Sequence, residues 1–274
     1  MNDSHIVCAA ARVIEEILPD NDVRGVTSVN DELFLLLDRR EHQVCVYSIN
    51  DCLQRRRLNV PQYKPDRYSD MTSCVRHKCL YMSDYGNSCI LRYELASRAA
   101  ISKWSVPGYP CGLSVTPSCN LLVTCQGEPN KLVELSADSG KRVQAVALQA
   151  DIEHPWYSVQ LTTGEIALCH RYSDSLHQVC VVGDDGKVTR SYGGRRGRDV
   201  GQLNGPYHLA VDKDSQFIFV ADHSNARVVL LSPTLECVRC IGQGLRELNQ
   251  LYFHQATRRL FVGQYIRGVT VIQM

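Results

Sequence analysis

Residues 205–242 read GPYHLAVDKDSQFIFVADHSNARVVLLSPTLECVRCIG. Four apolar runs lie in it, at 209–211, 217–220, 228–231 and 237–241, separated by polar turns at 212–215, 222–225 and 232–234. Runs of three to five residues rich in Val, Ile, Phe and Leu, bounded by Asp, Asn, Ser and Pro, read as strands joined by hairpins. No run is long enough for a helix, and the β-branched content argues against one. Four strands in one short segment cannot bury both of their faces alone, so the unit is expected to recur.

It recurs along the whole chain. With Asp222 marking the end of the second strand, equivalent positions fall at Asp38, Asp84, Cys125, His170 and Gln264, at successive spacings of 46, 41, 45, 52 and 42 residues. A second column precedes the first apolar run of each unit: Gly25, Asp70, Gly112, Tyr157, His208 and Gln250, spaced 45, 42, 45, 51 and 42. Two columns that drift together define six units. A period in the forties with four strands per unit predicts an all-β fold, a six-bladed β-propeller with four-stranded antiparallel blades. The last unit ends after its third strand, and residues 11–18 (ARVIEEIL) match a fourth-strand pattern. The N-terminal strand is therefore expected to close the last blade and remove an open sheet edge. Residues 1–274 read as one domain, with no linker or low-complexity tract.

Composition narrows the function classes. The 274 residues are 44% hydrophobic and 22% charged, with a net charge of +1, so no global field draws the protein to nucleic acid or a membrane. Thirteen cysteines are an odd number and too sparse for a disulfide scaffold. Cys45, Cys89, Cys169 and Cys180 sit inside apolar runs, where a free thiol behaves as a small hydrophobe. Reduced thiols, no signal-peptide core and no long apolar run lead to the expectation of a soluble cytoplasmic protein that is monomeric as this domain.

The fifth unit resembles an NHL repeat, with GP before its first strand and VAD-x-x-N-x-R entering its third. Asp84 and Asn87 keep the turn in the second unit, whereas Cys125 and His170 replace the aspartate elsewhere, and His208 stands where the family has glycine. The resemblance implies a propeller of the kind found at the C-terminal end of tripartite-motif proteins, where it recruits a protein or a single-stranded or hairpin RNA. It also extends to a peptide-amidating lyase and to hydrolases of similar architecture, which makes a metal-dependent lyase or hydrolase an alternative.

Candidate site residues gather on one face. The loop 191–202 carries Arg195, Arg196 and Arg198, and turns on the same side add Arg24, Arg39, Arg40, Lys64, Arg67, Arg171, Arg227, Arg246 and Arg267. Tyr63, Tyr68, Tyr85, Tyr109, Trp156, Tyr157, Tyr172, Tyr192, Tyr207 and Tyr265 interleave with them, and His208 joins through the second column, whose polar members are expected to point to the channel mouth. Arginine with aromatic rings suits both protein hot spots and single-stranded RNA. Asp222, Asn225 and Arg227 read first as residues that hold their own turn. Cys237 and Cys240 form a CxxC on an outer strand, where residues three apart point to opposite faces and cannot share a metal. No nucleophile elbow or phosphate-binding loop is present. The expectation is a binding module rather than an enzyme, without a cofactor or metal, that recruits a protein partner or, alternatively, RNA through this face.

Overall fold

The computed structural model describes residues 11–17, 22–37, 43–60, 63–97, 101–172, 176–242, 245–265 and 267–274. Arg39 and Arg40 lie outside the described residues, and of Tyr172 only the backbone is described.

Among these residues the chain forms six four-stranded antiparallel sheets, with a single short 3-10 turn at His223–Asn225. The innermost strands are Val23–Val29, Met71–Cys74, Tyr109–Val115, Pro155–Gln160, Pro206–Val211 and Leu248–His254, of blades 1 to 6 in that order. Each packs against the innermost strands of its two neighbours, and the strand of blade 6 meets that of blade 1. Strands then follow one another outward by hairpins, which is the local pairing that tight polar turns dictate. The six-bladed propeller read from the two columns is the observed fold. Among the described residues no helix is long and apolar enough to cross a membrane.

Blade 6 is completed as expected. Arg12–Ile17 pairs antiparallel with Gly268–Gln273, from Arg12 opposite Gln273 to Ile17 opposite Val269. Ile17 is buried with Phe261, Val269 and Val271 against Leu33 and Leu35 of blade 1. The apolar core thus lies between neighbouring blades, where the inward faces of two sheets interlock, and it continues around the ring. Cys45, Cys89, Cys169 and Cys180 are buried free thiols within it.

One irregularity recurs and shapes the channel. The innermost strand slips register against its neighbour between Val23 and Gly25, Pro110 and Gly112, Pro155 and Tyr157, Pro206 and Leu209, and Leu248 and Gln250. A β-bulge in five blades at one height re-aims the side chains on either side of it. Glycine at two of these places has a steric reason. A Cβ on Gly112 would sit 2.5 Å from the Trp156 carbonyl oxygen, and one on Gly25 would sit 2.5 Å from Cβ of Met71.

Candidate functional site

The bulges settle which residues face the channel mouth. Asp70, Tyr157, His208 and Gln250 do not point out of it, as the sequence pattern suggested; all four are buried. They form a partition across the channel. Asp70 accepts the backbone N–H of Met71 at 2.8 Å and, across the blade gap, that of Leu113 at 2.7 Å. His208 accepts the Leu251 N–H at Nδ1 (3.3 Å), and its Nε2 lies 3.8 Å from Asp70 Oδ1. Nδ1 as acceptor puts the proton of neutral His208 on Nε2, facing the carboxylate. The Tyr157 ring covers the imidazole at a centroid distance of 3.7 Å. Burial holds the Tyr157 phenol well above its ordinary pKa. Tyr157 and His208 therefore lie beneath the mouth and tie blades together.

In four of the five bulged strands the residue one step earlier looks into the mouth instead; in blade 3 that residue, Cys111, is buried. Arg24, Trp156, Tyr207 and Asn249 line a cavity of about 670 Å³ together with Arg67, Tyr68, Tyr85, Gln126, His154, Arg171, His223, Glu247 and Tyr265. Six rings make an arc around it, Tyr109–Tyr85–Tyr68–Trp156–Tyr207–His223, with consecutive centroids 5.1, 4.5, 5.8, 4.9 and 5.9 Å apart. Arg67 lies over Tyr68 at 4.6 Å, Arg171 over Trp156 at 5.0 Å and Arg24 over Tyr265 at 5.5 Å. The Tyr207 hydroxyl donates to the Arg67 carbonyl oxygen at 3.2 Å, which fixes the loop carrying that arginine.

Charge and hydrogen-bonding capacity at this mouth are lopsided. Three guanidinium groups face one carboxylate, Glu247. Arg24 lies 3.6 Å from Asp22, while among the described residues neither Arg67 nor Arg171 has a carboxylate partner. Two buried donors are also unspent: the indole N–H of Trp156 and the side-chain amide of Asn249. A buried N–H without an acceptor costs about 1–3 kcal/mol relative to a paired one. The mouth thus offers donors and cations around aromatic faces, and wants acceptors. Burial, opposed by Glu247 and helped by Arg171 and Arg24, keeps His223 below its ordinary pKa, so it adds little positive charge near neutrality.

Of the residues singled out in the sequence, Arg24, Arg67, Tyr68, Tyr85, Trp156, Arg171, Tyr207 and Tyr265 meet at this cavity. Arg195, Arg196 and Arg198 do not; they follow the outermost strand of blade 4, Val188–Gly194, and stand exposed at the periphery. Arg267 is exposed outside the cavity lining. Arg227 is turned inward. Its Nε donates to Asp222 at 2.7 Å, and its two terminal nitrogens hold the carbonyls of Arg198 and Gln202 at 2.8 and 2.9 Å. Asp222 also accepts from Asn225 at 2.8 Å and from the Asn204 N–H at 2.6 Å. The residues that carry the repeat resemblance therefore build the peripheral loop. Asn249 was a lining residue that sequence reasoning passed over, and its signal was adjacency to the second column.

The CxxC reading also needs correction. Cys240 pairs with Val229 and Cys237 with Leu231, with Val238 bulged out between them. The bulge consumes one residue of the alternation, so both thiols fall on the same face of blade 5. Among the described residues, no group of three or more His, Cys, Asp or Glu is placed to hold a metal ion.

Comparison with known proteins supports the architecture. No protein-family model and no curated protein sequence matches the chain. Solved structures do. Hydrazine synthase of Kuenenia stuttgartiensis superposes with a TM-score of 0.67 at 13% identity, over 98% of this chain and 99% of that one. A catalytically inactive histidine-to-alanine variant of virginiamycin B lyase from Staphylococcus aureus, solved with quinupristin, gives 0.63 at 11% identity, over 93% and 81%. A protein of unknown function from Bacteroides thetaiotaomicron gives 0.69 at 10% identity, over 96% and 74%. At these identities the likeness is one of fold.

It still overturns the expectation that the chain is not an enzyme. Two of these three structures belong to named enzymes. The expectation rested on missing contiguous motifs, whereas a propeller draws its site residues singly from the ends of many strands, and no contiguous motif is required.

Proposed function

We propose that the protein is a recognition propeller whose mouth, at the Trp156 end of the channel, captures a segment of a protein partner carrying a carboxylate or phosphate beside an aromatic side chain. The observation that carries this is the pairing of unspent donors with an aromatic arc. Arg67, Arg171, the Trp156 indole N–H and the Asn249 amide supply charge and hydrogen bonds, while the rings supply stacking surface. Arginine, tyrosine and tryptophan in a concave, partly desolvated pocket are the residues that dominate protein hot spots. The NHL-like pattern of blade 5 supports the same reading, since propellers of that kind recruit partners.

RNA is the less favoured ligand. The mouth is a single concavity with Glu247 inside it, and a net charge of +1 provides little counterion-release affinity.

The test is a binding titration at two salt concentrations with two probes, an acidic tyrosine-containing peptide library and a uridine oligomer, on wild type and an Arg67→Ala/Arg171→Ala variant. Enrichment of acidic aromatic peptides by wild type, lost in the variant, is expected. Binding of the oligomer alone, with a log–log salt slope near −0.7 per phosphate, would replace the protein reading by the RNA one. Mass analysis of the recovered ligand reports whether the mouth also transforms what it holds.

A further inference from the structure

The channel has a second chamber beyond the Asp70–Tyr157–His208 partition, of about 270 Å³. All six innermost strands contribute to its wall, and the wall has two chemical sides. Blades 1 to 3 present five hydroxyls, Thr27, Ser28, Thr72, Ser73 and Ser114, with Val75, Val115 and Pro117 beside them. Blades 4 to 6 present mostly hydrocarbon, from Val159, Leu209, Val211, Leu251 and Phe253, with Gln160, Thr162 and the Tyr252 hydroxyl among their polar groups.

Some of these hydroxyls are spent on one another. Thr27 and Ser73 stand 2.7 Å apart, Ser73 donates to the Ser28 carbonyl at 2.7 Å, and Ser28 is joined to the Tyr252 hydroxyl. Ser114 is different. It is 4% exposed, and its Oγ is buried with no partner. The amides at the rim are already committed: Gln216 accepts from the Thr162 N–H, and Gln255 accepts from the Lys213 N–H and donates to the Val211 carbonyl. Lys213 is the one formal charge in the lining, and its side chain is exposed. The two lining tyrosines, Tyr157 and Tyr252, are kept neutral by burial, which raises both phenols.

From this we infer that the second chamber is a binding site for a neutral ring compound with hydroxyl groups along one edge and hydrocarbon on the opposite side. A charged ligand would be buried there without a counter-charge, at a cost of several kcal/mol. A cluster of water satisfies Ser114 and leaves the Leu209–Leu251–Phe253 side wetted, whereas an amphipathic ring satisfies both sides. The volume fits a molecule of monosaccharide size. The inference is independent of the mouth, because the partition separates the two cavities.

Saturation-transfer difference NMR on the full chain, with a panel of cyclohexanediols and methyl pyranosides, tests it. Transfer concentrated on ring C–H groups is expected. Ser114→Ala and Thr72→Val each remove one hydroxyl with little change of volume, so one reads out whatever the other does to folding. Each should weaken the best panel member by about 5- to 10-fold, the worth of one neutral hydrogen bond. Lys213→Glu and the Arg67→Ala/Arg171→Ala pair should leave its affinity unchanged. No transfer to any panel member would overturn the inference. So would an affinity that follows the charge at position 213, or one that is lost with the mouth arginines.

Discussion

At the scale of the residue, the most informative side chain is Arg227, because it looks like a surface ligand in the sequence and is a structural tie in the protein. Asp222 is fully buried, and the guanidinium beside it is its counter-charge. Arg227→Met leaves that carboxylate unpaired and is expected to cost about 3–5 kcal/mol, read as a loss in chemical-denaturation midpoint. The same variant releases the Arg198 and Gln202 carbonyls, so amide exchange across residues 195–204 should quicken. His170 gives a pH test. It is 1% exposed, and burial drives its pKa from 6.5 down to about 4. The unfolded chain binds this proton below pH 6.5 and the folded one resists it. Stability is therefore complete above 6.5, falls as the pH drops toward 4 and levels off below that. The full effect is on the order of 3 kcal/mol. His170→Gln should flatten this part of the urea-midpoint profile between pH 6.5 and 4. An unchanged slope would place His170 in a more solvated setting.

At the scale of the element, the strand Arg12–Ile17 completes a sheet begun at the far end of the chain. Ile17 is its one buried side chain, and the rest of the strand, including Glu15 and Glu16, faces solvent as charged protection for an outer edge. Ile17→Ser should cost about 2–4 kcal/mol through the core it shares with Phe261 and Val271. Deleting residues 1–18 should expose the edge of Gly268–Gln273 and produce soluble oligomers in size-exclusion chromatography with light scattering; a monomer of unchanged Tm would refute the closure's role. This strand was legible because alternation and turn residues are local signals. The bulges were not. Proline opens three of them, at Pro110, Pro155 and Pro206, but does not say which residue is inserted, and that residue exchanges which neighbour faces the mouth: Trp156 for Tyr157, Tyr207 for His208, Asn249 for Gln250. The same inserted residue, at Val238, reversed the expected geometry of Cys237 and Cys240. A one-residue slip turns every later side chain to the other face, so strand periodicity alone identifies a site only to within one position.

At the scale of the whole molecule, six near-equivalent blades leave the ring's centre as the place where all of them contribute, and the partition divides that centre into two unlike chambers. The mouth is cationic, aromatic and short of acceptors; the far chamber is uncharged apart from Lys213 and lined by hydroxyls and hydrocarbon. The periodicity made the ring readable, since it needs only the count and spacing of strand ends. The basic loop 195–198 stands apart from the mouth for a topological reason: it leaves a blade at the outermost strand, so its first residues sit at the rim, away from the innermost strands that line the channel. The central claim is that ligand enters the mouth against Trp156. With Trp104→Phe, Trp156 becomes the sole indole of a chain that has two tryptophans. Titration of that variant with the best acidic aromatic peptide from the library selection should give a saturable change in tryptophan emission, with a midpoint equal to the calorimetric Kd and lost on adding Arg67→Ala/Arg171→Ala. Calorimetric binding with unaltered Trp156 emission would contradict the account, because it would put the ligand elsewhere on the propeller.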